Sequence, residues 1–258
     1  MSEEKVRLGG MALANGVLVH GPTSWACAVR TDAGELKVVA RRKRFSGASV
    51  ESPLLRGPAR LADAISIVPQ IRRALPEARL PFQRPGVLAA MFGTAVVVKL
   101  VRTSPRLSPA AQELASGLLS VAPAALALRG PHVAAYHGAE HISIGTYEHG
   151  ERAEREHERC GSHLLGPLIA TTTIGNALAT RAPVHLRTAA RLGARLVAVA
   201  ASTEIFGWMV RNPDRKLARA LAKPGHELQH RIATAEPTPE QIEVAEAALA
   251  ACLELERA

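Results

Sequence analysis

The sequence predicts an α+β fold in which a small N-terminal antiparallel β-sheet precedes a mainly α-helical bundle. Short β-compatible runs are confined to residues 1–60, whereas long apolar stretches and helical spacing of apolar residues fill the rest. Aromatic residues make up only 3% of the chain, so packing must rely on small aliphatic side chains, which favours helices. We therefore expect a β-rich subdomain over residues 1–60 and a helical region over residues 61–258.

Three runs predict the strands of the sheet. They cover residues 17–20, 25–31 and 35–40. The Asp-Ala-Gly sequence at residues 32–34 separates the last two runs, and these residue types are typical of a hairpin turn. The pattern predicts a small antiparallel sheet.

Three segments outside the apolar stretches are predicted to be helical. Residues 60–75 carry apolar side chains at helical spacing and predict an amphipathic helix. Residues 211–223 predict a basic helix that Pro224 and Gly225 break. Residues 241–255 have apolar side chains on one face and acidic ones elsewhere, so we expect a surface helix there.

Four apolar stretches dominate the helical region. Each is shorter than the about 20 apolar residues that cross a bilayer, or carries charges, which favours buried or interfacial helices. Flanking arginines and lysines, in contrast, suit helices that insert into a membrane. We expect a protein of the cytoplasmic membrane, integral or peripheral, with a cytoplasmic location as the alternative. The stretches are residues 85–98, 114–128, 164–178 and 192–210.

The net charge and the cysteine content indicate which partners and which cellular compartment to expect. The net charge of +9 suits an anionic membrane lipid as a partner, and it equally fits an arginine-rich composition that involves no partner. Nucleic acid is not expected, because residues 41–44 are the only tight basic cluster and have no aromatic stacking platform. Cys27, Cys160 and Cys252 are an odd number in a chain whose residues 1–7 do not resemble an export signal. We expect free thiols and a cytoplasmic start.

The sequence His-Gly-Ala-Glu-His at residues 137–141 is the clearest chemical motif. On a helix, His137 and His141 lie four residues apart on one face, with Glu140 beside them. Two neutral imidazoles supply two ligands to a divalent metal such as Zn²⁺ and leave a position open for water. The adjacent carboxylate can take the proton of that water. The motif predicts a metal site with Glu140 as its general base.

Three further side chains are candidates to complete the metal site. His157 and Cys160 follow about twenty residues later at H-x-x-C spacing, and Gly161 allows a tight turn after the thiolate. Glu204 is a carboxylate inside an apolar stretch, where an unpaired charge is costly. Any of these three side chains can supply a third ligand.

A simpler interpretation of the same residues involves no metal. The two motif histidines are then ordinary polar groups of a loop, and Cys160 is a small buried hydrophobic residue. Glu204 then pairs with Arg195 or Arg211. The combined spacing favours the metal site over this interpretation.

Segments distributed over nearly the whole chain match one known family. They are residues 136–141 and 157–161, preceded by residues 9–10, 21–22 and 25–30 and followed by residues 228–229, 236–237 and 243–245. With these motifs the chain resembles the YqhQ family of bacterial proteins. The resemblance implies a metal-dependent enzyme with several membrane helices but supplies no reaction. Where that family has Gln, Glu and Arg near its N-terminus, this chain has Met11, Asn15 and His20.

Two functions from different classes follow from these motifs. The first is a metal-dependent hydrolase of the peptidase or amidase class, with Glu140 as base. The second is a non-catalytic membrane-associated protein in which His137, His141, His157 and Cys160 hold a structural zinc ion. A cysteine nucleophile, Cys160 with His157 as base, is weaker because the sequence offers no evident orienting group.

Overall fold

The computed structural model describes residues 5–45, 47 and 49–258 and has the predicted α+β architecture. A four-stranded antiparallel sheet comes first, and nine α-helices follow within the described residues. The described residues do not include residues 1–4, 46 and 48. The predicted N-terminal subdomain contains these residues, and the first four belong to the predicted cytoplasmic start. The predicted fold class is confirmed.

The sheet is a meander in which each strand pairs with the next one in sequence. Its strands are β1 (Gly9–Leu13), β2 (Gly16–His20), β3 (Ser24–Arg30) and β4 (Leu36–Arg42). Strand β1 was not predicted, because two glycines at its start weaken the strand pattern. The hairpin between β3 and β4 contains Gly34 with φ of 81°, a left-handed conformation that glycine adopts without strain.

The helices follow the predicted order but not all the predicted bounds. They are α1 (Pro53–Ala74), α2 (Pro85–Thr103), α3 (Pro109–Ser120), α4 (Ala122–Leu128), α5 (Pro131–His149), α6 (Leu165–Ala179), α7 (Arg187–Arg211), α8 (Lys216–Leu228) and α9 (Pro239–Arg257). Helix α1 begins before residue 60, so the helical region starts earlier in the chain than expected.

Two helix boundaries correct the sequence-based interpretation. The apolar stretch at residues 114–128 forms two helices that separate at Val121, because Pro123 cannot donate a backbone hydrogen bond to the preceding turn. The predicted break at Pro224 and Gly225 is wrong, since α8 continues through both residues. Gly225 lets the helix pack closely: a Cβ there would lie 2.5 Å from the carbonyl oxygen of Ser162.

Both faces of the sheet are covered by helices, because alternate residues of a strand point to opposite faces. One face packs against α5 and α9 and the other against α1. The first face contributes Val17, Val19, Ala26 and Ala28. The second face contributes Leu18, Trp25, Cys27 and Val29. The predicted surface helix α9 therefore buries its apolar side against the sheet.

Three helical segments are long and apolar enough to cross a membrane. They are Pro85–Thr103, Ala110–Leu128 and Val184–Arg211, and only 6% of the first is buried inside the protein. Large apolar side chains such as Phe92 and Leu100 are therefore exposed on α2. The predicted stretch at residues 164–178 forms α6, whose 15 residues fall short of the about 20 that a span needs. The exposed apolar surface of the helical region is compatible with membrane association.

A buried polar cluster joins three of these helices. Glu113 on α3 accepts hydrogen bonds from Asn176 on α6 (2.7 Å) and from Arg102 on α2 (3.0 Å). The exposed fractions of Glu113 and Asn176 are 4% and 2%. Because a buried polar group is costly without a partner, this shared contact ties α2, α3 and α6 together.

Replacing Glu113→Ala should destabilise the helical region by about 2–4 kcal/mol, because Arg102 and Asn176 would lose their shared acceptor. Thermal unfolding in detergent measures the change. The exposed Glu151→Ala is the matched control and should leave the unfolding temperature unchanged. Equal stability of both variants would contradict a structural role for the cluster.

Candidate metal centre

Helix α5 carries the His-Gly-Ala-Glu-His motif through the interior of the protein. Every residue from Val133 to Gly145 is buried. The sheet and α9 pack on one side of this helix, while residues 150–160 and 229–235 cover the other side. Polar side chains in such a helix need partners inside the protein, because water cannot supply them.

A glycine of α5 lets the covering segment approach closely. A Cβ at Gly138 would lie only 2.3 Å from the carbonyl oxygen of Ala235. The backbone N–H of Ala235 donates to the carbonyl oxygen of Ala134 on the same helix (2.9 Å). The segment that follows α8 is thereby held against the motif.

Three of the predicted ligands converge at one point. The candidate ligand atoms of His137, His141 and Cys160 all lie within 4.8 Å of one another. His137 Nε2 is 3.6 Å from Cys160 Sγ, and the centroids of the two imidazole rings are 4.3 Å apart. This group can hold a metal ion.

Backbone carbonyls orient both imidazole rings. His137 Nδ1 donates to the carbonyl oxygen of Ala233 (2.8 Å), and His141 Nδ1 donates to that of Arg155 (2.7 Å). A carbonyl oxygen only accepts, so in each neutral ring Nδ1 carries the proton and Nε2 keeps its lone pair. Metal-binding histidines are commonly oriented in this way.

Burial also sets the protonation of the site. It lowers the pKa of His141 to about 2, with a further contribution from His137, so this ring is neutral and able to bind a metal. Burial raises the pKa of the Cys160 thiol. It raises the pKa of Glu140 to about 8. A bound cation would favour the charged forms of these two acidic groups.

The carboxyl group of Glu140 is buried and interacts electrostatically with His137 and Cys160. Its Oε2 atom has no hydrogen-bond partner. A Cβ on Gly10 would lie 2.3 Å from Oε1, so the backbone of β1 approaches this carboxyl group closely. The two imidazoles and the thiol of the converging group are a donor set that fits a divalent metal, and Glu140 does not belong to that group.

The other two predicted ligands are occupied elsewhere. His157 Nε2 lies 3.1 Å from Glu148 Oε2, and its ring centroid is 5.6 Å from that of His141. Glu204 on α7 forms an ion pair with Arg56 on α1, not with the arginines considered from the sequence. The structure therefore brings together three of the five candidate ligands and leaves His157 and Glu204 outside the group.

Gln229 is a site residue that the motif analysis did not single out. It is fully buried, and its Oε1 accepts a hydrogen bond from the backbone N–H of His157 (2.9 Å). Its Nε2 donates to Ser162 Oγ (2.8 Å). Gln229 thus holds the segment that carries Cys160 in place. The only signal for it in the sequence is the match of residues 228–229 to the YqhQ family.

Comparison with known proteins finds a family model that matches part of the chain, and it finds no activity. No curated protein and no solved structure matches the chain significantly. Residues 131–255, which include the candidate metal centre and most of α9, match the family model DUF1385, described as a protein of unknown function. DUF1385 is the family of the YqhQ proteins that the motifs resemble, so this match, which covers just under half of the chain, is consistent with that resemblance.

Proposed function

We propose that the protein is a membrane-bound, metal-dependent hydrolase of the peptidase or amidase class. One observation carries the proposal: the ligand atoms of His137, His141 and Cys160 lie within 4.8 Å of one another. Beside them lies Glu140, whose Oε2 is buried without a partner. A general base next to a metal site is the arrangement that hydrolysis requires.

The number and type of ligands support a catalytic zinc site. Three protein ligands leave a coordination position for water or substrate, whereas closed structural sites use four. His157, the candidate fourth ligand, is paired with Glu148. Imidazole and thiolate together favour Zn²⁺ over the hard cations Mg²⁺ and Ca²⁺, which prefer oxygen.

The chain's own residues have distinct roles in the proposed reaction. A bound metal supplies Lewis acidity, which activates water and polarises a carbonyl group. Glu140 accepts the proton of the attacking water and passes it to the leaving amine. The carbonyl oxygens of Ala233 and Arg155 keep the two imidazoles in the tautomer that binds metal.

A structural zinc site is the second candidate, and the burial of the site favours it. The exposed fractions of His137, Glu140 and His141 are 7%, 6% and 2%. A substrate would therefore reach Glu140 only if the covering residues 150–160 moved aside. In the structural alternative the metal locks this segment onto α5, and no turnover occurs.

Purified protein should contain about one equivalent of zinc, because one three-ligand group is formed. His137→Ala, His141→Ala and Cys160→Ser should each lose the metal, as measured by elemental analysis. His157→Ala and Glu204→Ala are the matched controls and should retain it. Metal loss in these two controls with retention in the first three would contradict the proposed ligand set.

Glu140→Gln should retain zinc and lower the hydrolysis rate by about 10²–10⁴-fold, because it removes the general base. Zinc-dependent cleavage of p-nitrophenyl acetate and of an N-acyl p-nitroanilide measures the rate. The structural zinc site would be favoured if the wild-type protein cleaved neither probe and the Glu140→Gln variant lost its metal or did not fold.

The proposed membrane location predicts how the protein fractionates. The three apolar segments should keep it in the membrane pellet after carbonate extraction, and nonionic detergent should release it. Immunoblotting of the fractions measures this. Recovery in the soluble fraction without detergent would exclude the integral version and leave a compact soluble bundle.

A further inference from the structure

An apolar groove lies between α2 and α4, in two of the segments that are apolar enough to cross a membrane. Helix α2 lines it with Val87, Met91, Ala95 and Val98, and α4 lines it with Ala124 and Ala127. Ser120 is also at the groove, but its hydroxyl donates to the carbonyl oxygen of Ser116 (2.7 Å) and is therefore satisfied. The groove offers apolar contact to whatever fills it.

The length of the groove corresponds to one membrane leaflet. From Val87 to Val98 the helical rise of 1.5 Å per residue gives about 17 Å. The hydrocarbon core of a bilayer is about 30 Å thick, so one leaflet contributes about 15 Å. A single acyl chain that lies along α2 would fill the groove from the membrane surface to the bilayer centre.

Two arginines mark one end of the groove. Arg84 immediately precedes α2 and Arg129 immediately follows α4, and Arg84 Nη1 donates to the carbonyl oxygen of Arg129 (3.0 Å). Both side chains are exposed, and no carboxylate pairs with either within the part of the chain that the structure describes. Their remaining N–H donors are available to a phosphate group, for which guanidinium is well suited.

We propose that this groove binds one anionic phospholipid, with an acyl chain between α2 and α4 and its phosphate at Arg84 and Arg129. Anionic lipid fits better than zwitterionic lipid because a zwitterionic headgroup carries its own cation, which the two arginines would repel. The net charge of +9 is consistent with an acidic membrane partner. The inference rests on the proposed membrane location and is independent of the metal centre.

The test is a lipid titration of the full-length protein in nonionic detergent, followed by native mass spectrometry. Dioleoylphosphatidylglycerol should bind at least about tenfold more tightly than dioleoylphosphatidylcholine, as two interfacial arginines predict. The double variant Arg84→Gln/Arg129→Gln should lose this preference. Arg106→Gln is the matched control, since Arg106 is an exposed arginine beyond the other end of α2.

A second variant tests the acyl site itself. Ala95→Phe/Ala124→Phe fills the groove and should reduce the binding of both lipids. Circular dichroism and the zinc content of each variant report whether it is folded. If the filled variant does not fold, the arginine pair still decides the outcome, because both arginine side chains are exposed and can be replaced without disturbing the core.

Several results would overturn the inference. Equal affinity for the two lipids would contradict a role for Arg84 and Arg129. A loss of preference in Arg106→Gln as large as in the double variant would contradict it as well. Displacement of the lipid by millimolar inorganic phosphate would indicate a free anion site. If the wild-type protein instead binds no lipid and forms a dimer that the filled variant does not form, a second copy of the protein would be the occupant of the groove. Protein that fractionates as soluble would instead contradict the membrane location.

Discussion

The burial of α5 is the constraint on which the rest of the site depends. A helix that is enclosed on all sides must satisfy its polar side chains from within the protein. His137 and His141 do so by donating to backbone carbonyls, which turns both free ring nitrogens towards Cys160. Glu140 has an oxygen without a partner. The same burial that stabilises the fold therefore leaves a desolvated set of donors that a cation would complete.

The candidate metal centre and the candidate membrane spans lie in different parts of the molecule. The sheet, α9 and α5 form a packed unit, and the candidate metal centre lies between α5 and the segments at residues 150–160 and 229–235. None of the three candidate membrane spans includes α5. Helices α2, α3, α4 and α7 supply those spans and expose apolar surface. Because the buried Glu113 ties α2, α3 and α6 together, the apolar helices pack in a defined arrangement. The three candidate metal ligands lie outside the three candidate membrane spans.

Features that depend on neighbouring residues can be predicted from the sequence. Contacts between side chains that are distant in the sequence cannot. The motif on α5 requires only helical spacing, so His137 and His141 were predicted as a pair. Cys160 lies on an irregular segment, and its position depends on Gln229, which follows α8 and leaves no periodic signal. The partner of Glu204 is Arg56, 148 residues earlier in the chain, a contact that no spacing rule predicts. The sequence pattern does not predict strand β1, because the two glycines at its start weaken the strand signal.

Cobalt substitution tests the central claim most directly. Zinc is exchanged for Co²⁺ in the full-length protein, and the visible absorption and X-ray absorption spectra are recorded. The account predicts a thiolate-to-cobalt charge-transfer band that Cys160→Ser abolishes, together with one sulfur and two imidazole ligands. A site without sulfur, or one with a third imidazole that closes the coordination shell, would contradict the three-ligand centre.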